Sequence, residues 1–99
     1  MDNITTYRGE TKTISVEIPE GYTSGYTMNF ILNDKEYSDD DPVLVITGLT
    51  ITDDISLVNI TATENDIPEM VYFFQCDIIN GNLKYTIAKG SYTVIPSIS

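Results

Sequence analysis

Histidine and tryptophan do not occur in this 99-residue chain, cysteine occurs once, and lysine and arginine together number five. Without histidine the chain lacks the commonest general base, the usual partner of a nucleophilic serine or cysteine, and the commonest transition-metal ligand. That excludes most hydrolase mechanisms. Without tryptophan and with Cys76 alone, the Cys…Trp…Cys core of antibody domains is excluded, and so is any internal disulfide. The fold must then hold in a reducing compartment, which fits intracellular synthesis.

Five bases stand against 15 acids, giving a formal net charge of -10. Such a field repels nucleic-acid phosphates and anionic lipid. Arg8, Lys12, Lys35, Lys84 and Lys89 are also scattered along the sequence, so they form no basic run. No nucleic-acid or membrane partner is expected. No apolar run reaches membrane-spanning length, and Met1-Asp2-Asn3 lacks the basic-then-apolar layout of a signal peptide. A soluble, unprocessed protein is expected, so the triplets Asn3-Ile4-Thr5 and Asn59-Ile60-Thr61 are not read as glycosylation sites. The glycines show no phosphate-cradling spacing.

What the chain does have is enough apolar surface to fold, with 41% hydrophobic and 20% charged residues. One domain spanning residues 1–99 is expected, with no repeat, linker or low-complexity tract. Its dominant pattern is period-two alternation, the mark of strands with one face buried. After a short strand over residues 4–7, residues 12–18 place Ile14, Val16 and Ile18 on one face. Residues 26–32 alternate again, with Met28, Phe30 and Leu32 inward, and Val43-Leu44-Val45-Ile46 forms a short run closed by Gly48. Ile51 falls in a connection, and a further strand covers residues 55–61.

Residues 63–67 have the composition of at most one helical turn, with Thr63 as the capping residue. Residues 70–79 form the densest strand, with Tyr72, Phe74, Cys76 and Ile78 on one side and Phe73, Gln75 and Asp77 on the other. This spacing makes Cys76 a buried structural thiol, not a nucleophile. Asn80-Gly81-Asn82 is a hairpin turn. Residues 83–88 return, Gly90 breaks the strand, and residues 91–95 form the last one. Seven or eight short strands with turn signals about every ten residues favour an all-β, immunoglobulin-like antiparallel sandwich.

Two stretches carry binding chemistry. Asp34, Glu36, Asp39, Asp40 and Asp41 are candidates for a calcium site, shared with Asp53, Asp54 or another subunit, because carboxylate oxygens suit hard cations. They lack the spacing and central glycine of a helix-loop-helix calcium site, so a solvated acidic loop is the competing reading. Seven tyrosines exceed what a small core needs, and Tyr22, Tyr26 and Tyr37 flank loops. They either cover the ends of the sandwich or contact a partner. No catalytic or cofactor-binding residue is assigned, and no enzyme is expected.

Along nearly its whole length the chain resembles the small immunoglobulin-like domains of tailed-phage virions. These occur at the start of upper-baseplate proteins and in capsid accessory and head-fibre proteins. The resemblance is carried by Tyr7-Arg8-Gly9-Glu10-Thr11-Lys12, by Asp41-Pro42-Val43-Leu44-Val45, and by Leu83 through Gly90 followed by Ser91-Tyr92-Thr93-Val94. Phe74-Gln75-Cys76-Asp77-Ile78 occupies the place of a Tyr-x-Tyr-Asp-Ile strand, with Phe and Cys for the two tyrosines. The resemblance implies a non-enzymatic virion structural protein, made in the host cytoplasm. Because the chain ends at Ser99, a capsid decoration or accessory subunit binding the major capsid protein is expected first, and a baseplate or tail subunit binding other virion proteins second, with a homo-oligomer in the assembled particle left open. A carbohydrate- or calcium-dependent binding module is the alternative from outside that family.

Overall fold

The computed structural model describes residues 2–22, 24–35 and 42–96, with Asp2 described by its backbone. Eight strands follow in chain order: β1 (Asp2–Tyr7), β2 (Lys12–Glu17), β3 (Thr27–Asn33), β4 (Leu44–Leu49), β5 (Ile51–Thr52), β6 (Ile55–Ile60), β7 (Val71–Asn80) and β8 (Leu83–Ile95). They form a five-stranded sheet in the order β1-β8-β7-β3-β4 and a three-stranded sheet in the order β2-β6-β5. Every strand pair is antiparallel except β1 with β8. This is the expected immunoglobulin-like β-sandwich.

The core is what the alternation selected. Met28, Phe30 and Leu32 from β3 meet Tyr72, Phe74, Cys76 and Ile78 from β7, with Val16, Val58 and Ile60 closing from the opposite sheet. The Phe30 and Phe74 rings stack at 5.9 Å. Phe74 follows Tyr72 by two residues, the place where antibody domains carry their second cysteine, and its ring stacks on Phe30 of the neighbouring strand in the same sheet. The Tyr72 hydroxyl donates to the Pro68 carbonyl at 2.7 Å, the corner contact typical of this architecture.

Four sequence expectations are corrected. First, β8 is continuous, and Gly90 lies buried inside it, opposite Phe74. A residue without a side chain facing a large ring keeps the ladder intact where a break was expected. Second, Ile51 is not in a connection but pairs with Ser56 as part of β5. Third, residues 62–65 form a turn held by Thr61, not Thr63. The Glu64 amide donates to the Thr61 hydroxyl at 3.2 Å and the Thr61 amide to the Glu64 carboxylate at 2.9 Å, a reciprocal capping box. Fourth, the β7–β8 loop is Gly81-Asn82, with Gly81 at φ +59° in its first position, because Asn80 already pairs with Leu83.

That turn presents Asn65, which is fully buried. Its amide nitrogen donates to the Thr6 hydroxyl at 2.8 Å and to the Tyr7 and Glu10 carbonyls at 3.1 and 2.7 Å, and its oxygen accepts from the Tyr92 hydroxyl at 2.6 Å. One side chain thus joins β1, the β1–β2 turn and β8. Outside it, Arg8 bonds Asp66 at 2.9 Å and Glu69 at 2.8 Å. These bonds raise the guanidinium pKa, while the Glu69 carboxyl is held down by its own backbone amide and then by Arg8.

Replacing Asn65 by Ala leaves the Tyr92 hydroxyl and two carbonyls without their partner, and is expected to cost about 3 kcal/mol in urea unfolding. Burial pushes the Tyr92 phenol up to about 12. An unfolded phenol ionises near ~10, so the stabilisation from protonated Tyr92 is complete below that pH and is lost as pH rises toward the folded value. The stability advantage of the wild type over Tyr92→Phe should therefore shrink across that alkaline window in parallel denaturant melts.

Candidate interaction surface

The outer face of the five-stranded sheet is built from the residues that alternate with the core. On β7 these are Val71, Phe73, Gln75 and Asp77. Ile31 lies directly across from Val45 on β4 and from Gln75 on β7, and Phe73 is one diagonal step from Ile31. Directly opposed and diagonal side chains are within mutual reach in a sheet. Val45, Ile31, Phe73 and Val71 therefore form one diagonal apolar strip. Its ends are open, with Val45 46% and Val71 45% exposed. A contiguous apolar strip on a sheet face is the kind of surface that marks protein contact.

Beside the strip lies a polar cluster that sequence reasoning missed. Asp77 sits on the outward face, as alternation required, yet it is completely buried. A register shift between Cys76 and Asp77 lets neighbouring side chains close over it. Its carboxylate accepts two bonds from the Gln75 amide, at 2.9 and 3.0 Å, and one from the Thr86 hydroxyl at 2.7 Å, with Lys84 Nζ at 3.5 Å. A buried carboxylate must be satisfied in this way. Alternation identifies a face but not a bulge, so no sequence signal could have found it.

Tyr22 and Tyr26 meet at one end of the sandwich, their rings 5.8 Å apart and edge-on, and Tyr22 also lies 5.2 Å from Tyr85. Tyr22 and Tyr26 pack against the core, so they cover its end. Tyr85, absent from the sequence candidates, completes the cluster because the β7–β8 hairpin carries it past the core. Tyr37 lies outside the described residues.

Of the acidic candidates, Asp34 is exposed in a bend just after β3. Glu36, Asp39, Asp40 and Asp41 lie outside the described residues. Asp53 and Asp54 form the β5–β6 turn, with Asp53 at φ +59°. That turn follows the end of β4 that pairs with Met28, whereas Asp34 follows the other end of β3. About 20 Å of strand separates them at the usual rise per residue, so Asp34 shares no cation with Asp53 and Asp54 within one molecule. Among the described residues no three acidic or cysteine side chains converge as a metal site would need.

Two further apolar residues, Ile55 at 40% and Leu57 at 54% exposure, lie on the outer face of the three-stranded sheet. With Ser15, Thr50 and Thr52 they line a shallow cleft of about 540 Å³. A second cleft, of about 580 Å³, opens on the side of the sandwich between β2 and β8, floored by Ile14, Val16, Phe74 and Ile87.

No family model matches the chain, and no curated protein matches it. Among solved structures it is similar to the immunoglobulin-like domain of mouse leukocyte-associated immunoglobulin-like receptor 1, crystallised as a strand-swapped dimer. The TM-score is 0.57, with 94% of this chain and 88% of that one covered at 13% identity. A likeness at that identity is one of fold. The immunoglobulin-like fold typically serves as a binding or structural module.

Removing the buried carboxylate should unsettle this face. Asp77→Ala is expected to cost about 2–3 kcal/mol, since the Gln75 amide and Thr86 hydroxyl lose their acceptor. Lys84→Met, which removes only a surface-exposed partner, should cost less than about 1 kcal/mol. Thermal melts of the two variants would check the ranking.

Proposed function

We propose that this chain is a non-enzymatic structural protein of a tailed-phage virion, a capsid decoration or accessory subunit. In this reading it binds the major capsid protein through the outer face of its five-stranded sheet. The observation that carries the proposal is the strip of Val45, Ile31, Phe73 and Val71, half-buried at Ile31 and Phe73 and exposed at both ends, an apolar surface on a strongly acidic chain. Burying it against another protein removes apolar area from water, the main favourable term in association. The full-length resemblance in sequence pattern supplies the virion context.

Charge shapes the partner. With a net charge of -10, copies of this chain repel one another at long range, whereas a basic patch on the shell would attract it and speed docking. A subunit present in many copies on a shell gains solubility from the same charge before assembly.

The test is co-sedimentation with purified particles or assembled shells of the major capsid protein. The wild type is expected to sediment with them. Val45→Glu combined with Val71→Glu should lose at least about tenfold in affinity, roughly 1.4 kcal/mol. Because both side chains are exposed, the double variant should melt within about 1 kcal/mol of the wild type. Failure of the wild type to sediment, or undiminished binding by the double variant, would remove the proposal's basis.

A further inference from the structure

A polar side chain borders the apolar strip on the outer face of the five-stranded sheet. Gln75 lies in one row with Val45 and Ile31, directly across from Ile31, and two residues along β7 from Phe73 on the same face. It is half-buried there. Side chains so placed are within mutual reach, so whatever covers Ile31 and Phe73 covers Gln75 as well.

A glutamine amide has a donating end and an accepting end of nearly equal size, so an unrestrained one turns either end to a partner. Gln75 is restrained. Its Nε2 lies 2.9 and 3.0 Å from the two oxygens of Asp77 and 3.3 Å from the Thr86 hydroxyl oxygen. The one proton of that hydroxyl goes to Asp77 Oδ1 at 2.7 Å, so Thr86 meets Gln75 as an acceptor. Both amide hydrogens are therefore spent. Turning the amide over would set its oxygen against the same three acceptor atoms and take the amide donor from a fully buried carboxylate. Amide geometry then directs Oε1 away from Asp77, and among the described residues no donor meets it.

We propose that Gln75 is the specificity-determining group of the docking face, an acceptor that reads a hydrogen-bond donor on the partner, and that Asp77 is the positioning residue that fixes this sense. The inference rests on the outer-face reading and adds the chemistry of the surface that fits it. That surface carries apolar side chains over the strip, with one hydroxyl or N–H donor among them opposite Gln75. A partner that is apolar at this point orphans the Gln75 oxygen, and one that brings a carbonyl or carboxylate sets acceptor against acceptor. Discrimination then comes from penalising the wrong partner.

Gln75→Met keeps the length of the side chain and removes both polar ends, and the sign of its effect on co-sedimentation with purified particles is the test. Against a partner donor the variant leaves that donor unpaired and should bind about tenfold more weakly than the wild type. Against a wholly apolar surface it should bind as tightly as the wild type or more so, which overturns the inference and leaves the outer-face reading standing. Failure of the wild type itself to sediment overturns both. Asp77→Asn tests the positioning with Gln75 in place, and it decides the matter should Gln75→Met shift the main-chain resonances of β7 or β8. Gln75 is the only glutamine in the chain, so its side-chain resonances are identifiable. In the free wild type its two amide protons should exchange with water about tenfold more slowly than those of free glutamine. Asp77→Asn should erase that protection and weaken sedimentation in the same direction as Gln75→Met. Unprotected Gln75 protons in the wild type, or undiminished binding by Asp77→Asn, would overturn the positioning role.

Discussion

The carboxamide of Asn65 decides where the first strand of this protein goes. It donates to Thr6, Tyr7 and Glu10 and accepts from Tyr92, so β1 is held against the last residues of β8 and the following turn is directed toward β2. The bonds to Thr6 and Tyr92 are made away from water and those to Tyr7 and Glu10 are partly so, which makes each strong and leaves a costly orphan when one is lost. The parallel β1–β8 pairing and the change of sheet between β1 and β2 follow from this attachment.

β7 supplies the other organising element, since it lies between β8 and β3 at the centre of the larger sheet. Its inward residues Tyr72, Phe74, Cys76 and Ile78 lie at the centre of the core, and its outward residues Val71 and Phe73 supply half of the candidate binding strip. The same alternation that buries Tyr72, Phe74 and Cys76 must therefore present Val71, Phe73 and Gln75 to the outside. A core strand this regular leaves little freedom for its outer face except through a bulge. The bulge sits on β8, where Ile87 is the extra residue between Ala88, opposite Cys76, and Thr86, opposite Asp77, and beside it a carboxylate is buried among Gln75, Thr86 and Lys84. Folding and recognition are thus coupled on one strand, and substitutions at Asp77 act on both.

The strip formed by Val45, Ile31, Phe73 and Val71 asks a partner only for a complementary apolar surface, since Ile31 and Phe73 lie on strands that are paired on both sides.

The sequence by itself determined the fold class and the inward residues of β2, β3 and β7, because period-two alternation is a local property and burial of one face is its physical meaning. It also determined the absence of histidine chemistry and of an internal disulfide, which are matters of composition alone. Thr61 was within its reach, since Thr61-Ala62-Thr63-Glu64 is a capping-box pattern, but the shorter reading from Thr63 competed with it. Only the tertiary structure decided that Gly90 continues a strand, that Asp77 is buried, that Tyr85 joins Tyr22 and Tyr26, and that Asn65 is the hub of the fold. Each of those depends on which strand lies alongside which. Pairing between residues 27 or 59 positions apart is set by the packing of the whole molecule, and no local pattern encodes it.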